Sequence, residues 1–147
     1  MAFVATTTPP AAVPAGPSCK PGLTRTTWVR FIDAYNRGEF RQLDALFAQE
    51  PDFLWYSANV PGLRNLTAST NRLTLIPYFR TRHARHDQIR LLSFAYHGNG
   101  NFTYRLRRSA SDYKGGRWFR LIGKGAVTCV GVETRLIVVS IGGPGSG

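Results

Sequence analysis

The stretch WVRFIDAYNRGEFRQLDALF, Trp28 to Phe47, begins as an amphipathic helix, stops at Asn36-Arg37-Gly38 and starts a second helix at once. In the first helix Trp28, Phe31, Ile32 and Tyr35 repeat at i, i+3, i+4 and i+7, which puts them on one face. Gly38 stands where a left-handed residue ends a helix. In the second, Phe40, Leu43, Leu46 and Phe47 share a face, and the helix ends before Pro51. A chain that doubles back after so few turns buries both apolar faces only against a third layer.

The rest of the chain supplies that layer. FLWYS, residues 53–57, reads as a strand, and the segment from Ala58 to Thr70 as a loop of mixed polarity. A third helix is expected from an N-cap at Thr74, with Pro77 in its first turn, to about His86. From Leu91 the period changes to two. LLSFAYH turns at Asn99-Gly100, a strong hairpin signal, into FTYRLRRSA, and RWFRLIGKGAVTCV and RLIVVSIGG follow. The order is helix, helix, strand, helix, then four antiparallel strands. This predicts an α+β fold: three N-terminal helices packed in the concave face of a curved, mainly antiparallel sheet, a cone.

Residues 1–23 are rich in Pro, Ala and Thr and read as a flexible tether, and residues 143–147 as a disordered tail. The tether lacks the basic and apolar regions of a signal peptide. Either an export signal has been replaced by Met1 or the protein is cytoplasmic. No apolar run approaches the ~18–20 residues of a membrane span. The net charge of +11, from 19 Lys and Arg against 8 Asp and Glu, permits anionic partners, though a basic solvated surface is the plainer reading.

The two cysteines, Cys19 and Cys129, belong to no CxxC, so no zinc site is expected. They are either two buried thiols or one long-range disulfide. A late-strand Cys129 beside the start of the first helix favours a bridge that pins the tether to the cone. A bridge would also place the protein outside the cytoplasm, where disulfides persist.

The segment FIDAYNRGEFRQLDALFAQEPDFLWYS resembles the opening of the nuclear transport factor 2-like superfamily, also described as SnoaL-like or cystatin-like α+β cones. NFTYRLRRSASD, GKGAVTC and LIVVSIGG resemble its closing strands. The resemblance covers residues 24–142 and is narrower to uncharacterised, exported bacterial members with a Cys before the first helix. It implies a cavity between helices and sheet. It implies no single activity, because one scaffold carries enzymes and non-enzymes.

Ketosteroid isomerase, a member, uses a carboxylate base with a Tyr and a protonated Asp. Its Tyr falls on Phe31, its base near Trp55 or Tyr56, and its second Asp near Ala126 to Thr128, so that chemistry is disfavoured. The acids Asp33, Glu39, Asp44, Glu50, Asp52, Asp87, Asp112 and Glu133 all read as helix-flank, loop or turn residues. Asp33 is the nearest candidate for an inward role.

His83 and His86 follow Phe79 at i+4 and i+7, so both histidines are expected to share its inward face. His83 and Tyr104 are the weak catalytic candidates. No metal, and no cofactor, is expected. Tyr35, Trp55, Tyr56, Phe79, Phe94, Tyr96, Phe102, Tyr104 and Trp118 recur on the core-facing pattern. The expected ligand pocket comprises Phe31, Tyr35, Trp55, Phe79, His83, Phe94, Tyr104 and Trp118, suited to a mainly apolar small molecule.

In FTYRLRR, Phe102, Tyr104 and Leu106 should face in, and Thr103, Arg105 and Arg107 out. With Arg120 and Lys124 the outward set forms a basic sheet face. Aromatics and cations alternate to opposite faces, which argues against nucleic acid. The sequons at Asn65 and Asn101 matter only in a glycosylating host.

The expectation is thus a small-molecule-binding domain without a full catalytic apparatus. A SnoaL-type enzyme using His83 or Tyr104 is the alternative, and a polyanion-binding module a second. A weak, salt-promoted homodimer or a monomer is expected, since like charges oppose pairing through the sheet.

Overall fold

In the computed structural model, which describes residues 19–49, 53–58, 66–130 and 133–144, three helices pack on one six-stranded sheet. Helices α1 (Pro21–Arg37), α2 (Phe40–Leu46) and α3 (Arg72–Ala84) are joined by strands β1 (Leu54–Ala58), β2 (Leu66–Ser69), β3 (Gln88–Gly98), β4 (Asn101–Ser109), β5 (Phe119–Val130) and β6 (Glu133–Pro144). The sheet order is β2-β1-β6-β5-β4-β3. All pairings are antiparallel except β1 with β6. The α+β cone is therefore the architecture. Most of the tether, residues 1–18, lies outside the described residues.

Several boundaries differ from expectation: β3 begins at Gln88 rather than Leu91, α3 ends at Ala84, and β6 runs to Pro144, two residues into the expected tail, of which residues 145–147 lie outside the described residues. Helix α1 starts at Pro21, inside the segment expected to be tether, because proline's fixed φ suits the first helical turn. Thr24 and Thr27 lie inside it, buried, and their hydroxyls donate to the carbonyls of Lys20 and Leu23. Helix α3 is capped by Asn71, whose side chain accepts from the Thr74 amide at 3.1 Å. Pro77 consequently falls inside the helix rather than in its first turn. Strand β2 occupies part of the segment expected to be loop, paired only with β1.

The break after α1 is built from side chains on both sides. Gly38 adopts φ 69°, and its amide reaches the Ala34 and Tyr35 carbonyls. A Cβ there would stand 2.7 Å from the His83 ring, so the position is closed to larger residues by strain and by space. Asn36 then exchanges two hydrogen bonds of 2.8 Å with the Ile89 backbone. Its amide side chain thus pairs with strand β3, which ends the sheet. Arg72 ties the end of α2 to α3, donating to the carbonyls of Asp44, Phe47 and Ala48 and pairing with the Asp44 carboxylate.

The concave side of the sheet is filled with rings. Trp28, Phe31, Phe47, Trp55, Phe79, Phe102 and Tyr104 are buried and touch one another. Gly123 and Gly125 on β5 make room, since a Cβ at either would lie within 2.4 Å of the Tyr104 or Phe102 ring. Trp28 stacks on Phe31 and on Tyr104 at centroid distances of 5.0 and 4.3 Å.

Cys19 and Cys129 form a disulfide with their Cα atoms 5.4 Å apart. Tyr96 reinforces the same junction, donating its hydroxyl to the Cys19 carbonyl at 2.6 Å. The bridge spans a sequence separation of 110, for which loop-closure entropy amounts to about 4–5 kcal/mol. Replacing both cysteines with serine is expected to lower the unfolding free energy by roughly 3–5 kcal/mol. Urea titration of the variant checks this, and an unchanged midpoint would show that α1 docks without the bridge.

Candidate functional site

Beyond Leu106 the inward alternation of β4 continues to Arg108, which is fully buried. A guanidinium there must be paired and fully hydrogen-bonded. Asp87, also fully buried, supplies the charge. It sits just after α3, where His86 takes φ 54° and turns the chain inward. Asp87 Oδ1 accepts from Arg108 Nε at 2.9 Å, and Oδ2 from Arg108 Nη2 at 2.7 Å and Arg82 Nε at 2.6 Å. Tyr35, from α1, donates its hydroxyl to the same Oδ2 at 2.9 Å.

The cluster extends in two directions. Outward, Arg82 forks onto Asp112, with Nη1 and Nη2 at 2.7 and 2.9 Å from its two oxygens. Inward, Arg108 Nη1 donates to the Ser57 hydroxyl of β1, and Nη2 approaches the Tyr35 and Tyr78 hydroxyls at 3.0 and 3.4 Å. Two arginines thus meet two carboxylates, and the inner end of the cluster is made of neutral hydroxyls and a guanidinium. Tyr113 lies beneath both arginines, its ring 5.1 Å from Arg82 and 5.7 Å from Arg108.

The electrostatics keep Tyr35 and Arg108 in their donating forms. Burial raises the Tyr35 hydroxyl well above its ordinary range; Arg108 opposes this and Asp87 adds to it. Burial opposes charge on Arg108, but the Tyr35 and Asp87 oxygens outweigh it, so the guanidinium stays protonated. Asp112 is held below the ordinary carboxylate range, first by its hydrogen bonds from Arg82.

Trp55 lies two residues before Ser57 on the same face of β1, its ring 5.8 Å from that of Tyr78. Its indole Nε1 is buried and has no hydrogen-bond partner among the described residues. At the inner end of the cluster the Trp55 indole N–H thus lies next to a wall of rings. Through that unpartnered indole N–H the cluster can hold an oxygen acceptor on an otherwise apolar molecule. It is poorly arranged to remove a proton, because both Asp87 oxygens already accept hydrogen bonds.

The expected site residues fall into separate places. Phe31, Tyr35, Trp55 and Phe79 meet in the interior, with Phe31 5.8 Å from Trp55 and Phe79 5.0 Å from it. Phe94 is half-buried and stacks on Phe102 at 5.2 Å, away from that group. Tyr104 is buried with its hydroxyl donated to the Ser140 carbonyl at 2.9 Å. His83 packs under Gly38 and edge-on to Phe40. The two histidines do not share an inward face, because the helix ends first and His86 is exposed.

Trp118 is a further correction. It lies on the outer face of the sheet, against Arg90 and Arg107 at 4.3 and 5.9 Å. The acid census also misplaced Asp87, which is neither solvated nor peripheral. Asp33, the acid singled out for an inward role, is exposed. Among the described residues no three of His, Cys, Asp and Glu are grouped to hold a metal ion.

Removing the central carboxylate, Asp87→Asn, leaves Arg82 with Asp112 and takes from the buried Arg108 the carboxylate it pairs with. The expected loss is about 3–5 kcal/mol, read from urea unfolding, and a loss within error would show that the cluster is solvated. Asp112 contributes a pH dependence. Its depressed pKa gives stability that is present above the ordinary carboxylate value of about 3.9 and is lost as pH falls through the lower native value. Asp112→Asn should flatten the acid limb of a stability–pH curve; an unaltered limb would assign that limb to other carboxylates.

No protein-family model and no curated protein matches the sequence. Solved structures do. A protein of unknown function with a cystatin-like fold from Methylobium petroleophilum is similar over 89% of this chain and 81% of its own, at 12% identity and TM-score 0.65. A putative polyketide cyclase from Sinorhizobium meliloti is similar over 80% of this chain and 94% of its own, at 14% identity and TM-score 0.62. A putative calcium/calmodulin dependent protein kinase II association domain from Xanthomonas campestris matches over 98% and 100%, at 14% identity and TM-score 0.59. With helices, sheet order and these likenesses in agreement, the chain has the fold of the nuclear transport factor 2-like, cystatin-like α+β cones.

Proposed function

We propose that this cone binds a mainly apolar small molecule carrying one oxygen acceptor, a carbonyl or carboxylate, at the Trp55 indole of its aromatic interior. The observation that carries the reading is the buried Trp55 Nε1, a donor without an acceptor among the described residues. A buried donor left without a partner costs about 1–3 kcal/mol, a cost that a ligand oxygen removes on binding. The surrounding rings of Phe31, Phe79 and Tyr78 provide the apolar contact.

The likeness to a putative polyketide cyclase fits a fold that accepts such molecules. Binding rather than turnover is favoured, because Asp87 is occupied by three donor side chains and Tyr104 is committed to a backbone carbonyl. The Cys19–Cys129 bridge supports an oxidising, extracytoplasmic setting for that role.

A titration with 2-naphthoate against naphthalene tests the proposal through tryptophan fluorescence and thermal unfolding. Naphthoate should bind and raise the unfolding temperature, naphthalene much less. Trp55→Phe keeps a ring but removes the N–H, and should weaken naphthoate about tenfold. Equal binding of the two probes, or no effect of Trp55→Phe, would sink the assignment.

A further inference from the structure

The outer face of β3, β4 and β5 carries no acidic residue on any of the three strands. The register instead aligns cations. Arg107 of β4 stands directly opposite Arg90 of β3 and Arg120 of β5. Like charges so placed repel one another across a sheet. Lys124 follows on the same face of β5, opposite Thr103. Among the described residues none of these side chains makes an ion pair, and Arg107 Nε is buried without a hydrogen-bond partner.

Aliphatic groups stand among the charges. Ile122, 45% exposed, is opposite Arg105, and Leu92, 49% exposed, projects from the bulge between Leu91 and Ser93 on the other side of it. Trp118 lies at the margin beneath Arg90. A row of guanidinium groups flanking exposed aliphatics, with an indole at the edge, matches the chemistry of a bilayer interface. Arginines meet lipid phosphates there, and the apolar side chains enter the boundary between headgroup and acyl chain.

We propose that this face docks the domain on an anionic lipid surface. Nucleic acid would use the same phosphate chemistry, but it stacks bases on open rings. The Trp118 ring already has a guanidinium 4.3 Å from its centroid, and Ile122 and Leu92 would add nothing to a phosphodiester chain. A peripheral mode is consistent with the helices, since no helix among the described residues is long and apolar enough to cross a membrane.

Co-sedimentation of the full chain with vesicles decides the matter, using phosphatidylcholine alone and its equimolar mixture with phosphatidylglycerol. Binding is expected only to the mixture and should fall as salt is raised to about 0.5 M. Arg107→Gln and Arg120→Gln should each weaken it about fivefold. Ile122→Thr should weaken it while leaving thermal unfolding unchanged. Failure to bind the anionic vesicles at low salt, or a normal affinity in Ile122→Thr, would overturn the proposal. So would an oligothymidylate that displaces the protein from vesicles and binds Ile122→Thr as tightly as the parent, or a tight low-salt dimer that buries the face.

Discussion

One buried carboxylate organises this cone. Asp87 receives hydrogen bonds from α1 through Tyr35, from α3 through Arg82 and from β4 through Arg108, which in turn reaches β1 through Ser57. The helices pack on the sheet mainly through non-directional ring contacts, which tolerate sliding. The carboxylate is directional and excludes any register in which a guanidinium loses its partner. Hydrophobic residues of similar shape can hold layers together as tightly, but they would not select one register.

The same constraint explains the helix break. Tyr35 reaches Asp87 only if α1 ends soon after it and Asn36 settles on Ile89, two residues beyond Asp87. Gly38 then turns the chain away, over His83. The Asn36-Arg37-Gly38 stop is thus as much a device for aiming a tyrosine as for starting a second helix.

Periodicity carried most of the architecture, because the apolar faces of α1, α2 and β4 repeat cleanly and the Asn99-Gly100 turn has a specific backbone demand, met here by positive φ at both residues. Arg108 lies one step further along the Phe102, Tyr104, Leu106 alternation, but no period identifies the distant carboxylate that allows a guanidinium to be buried there. Asp87 looked like the residue after a helix end, and only the left-handed His86 turns it inward. Trp118 follows a Gly-Gly-Arg turn, where no period assigns it a face. Strand β2 has too few residues, and too polar a sequence, to show alternation. Each miss is a residue whose direction was set by a partner distant in sequence.

The parallel pairing of β1 with β6 has a consequence for how the chain acquires its form. Trp55 lies beside Val139, and Phe47 forms a bridge to Leu136, so the first strand and the last complete each other. A chain emerging from its N-terminus can assemble α1, α2 and the β3–β4 hairpin early, but β1 has only short β2 for a neighbour until β6 has appeared. Closure of the sheet is therefore a late event of high contact order. Until then the edge of β1 and the ring-lined interior stay open to solvent, and that interval is when the nascent protein most needs protection from aggregation.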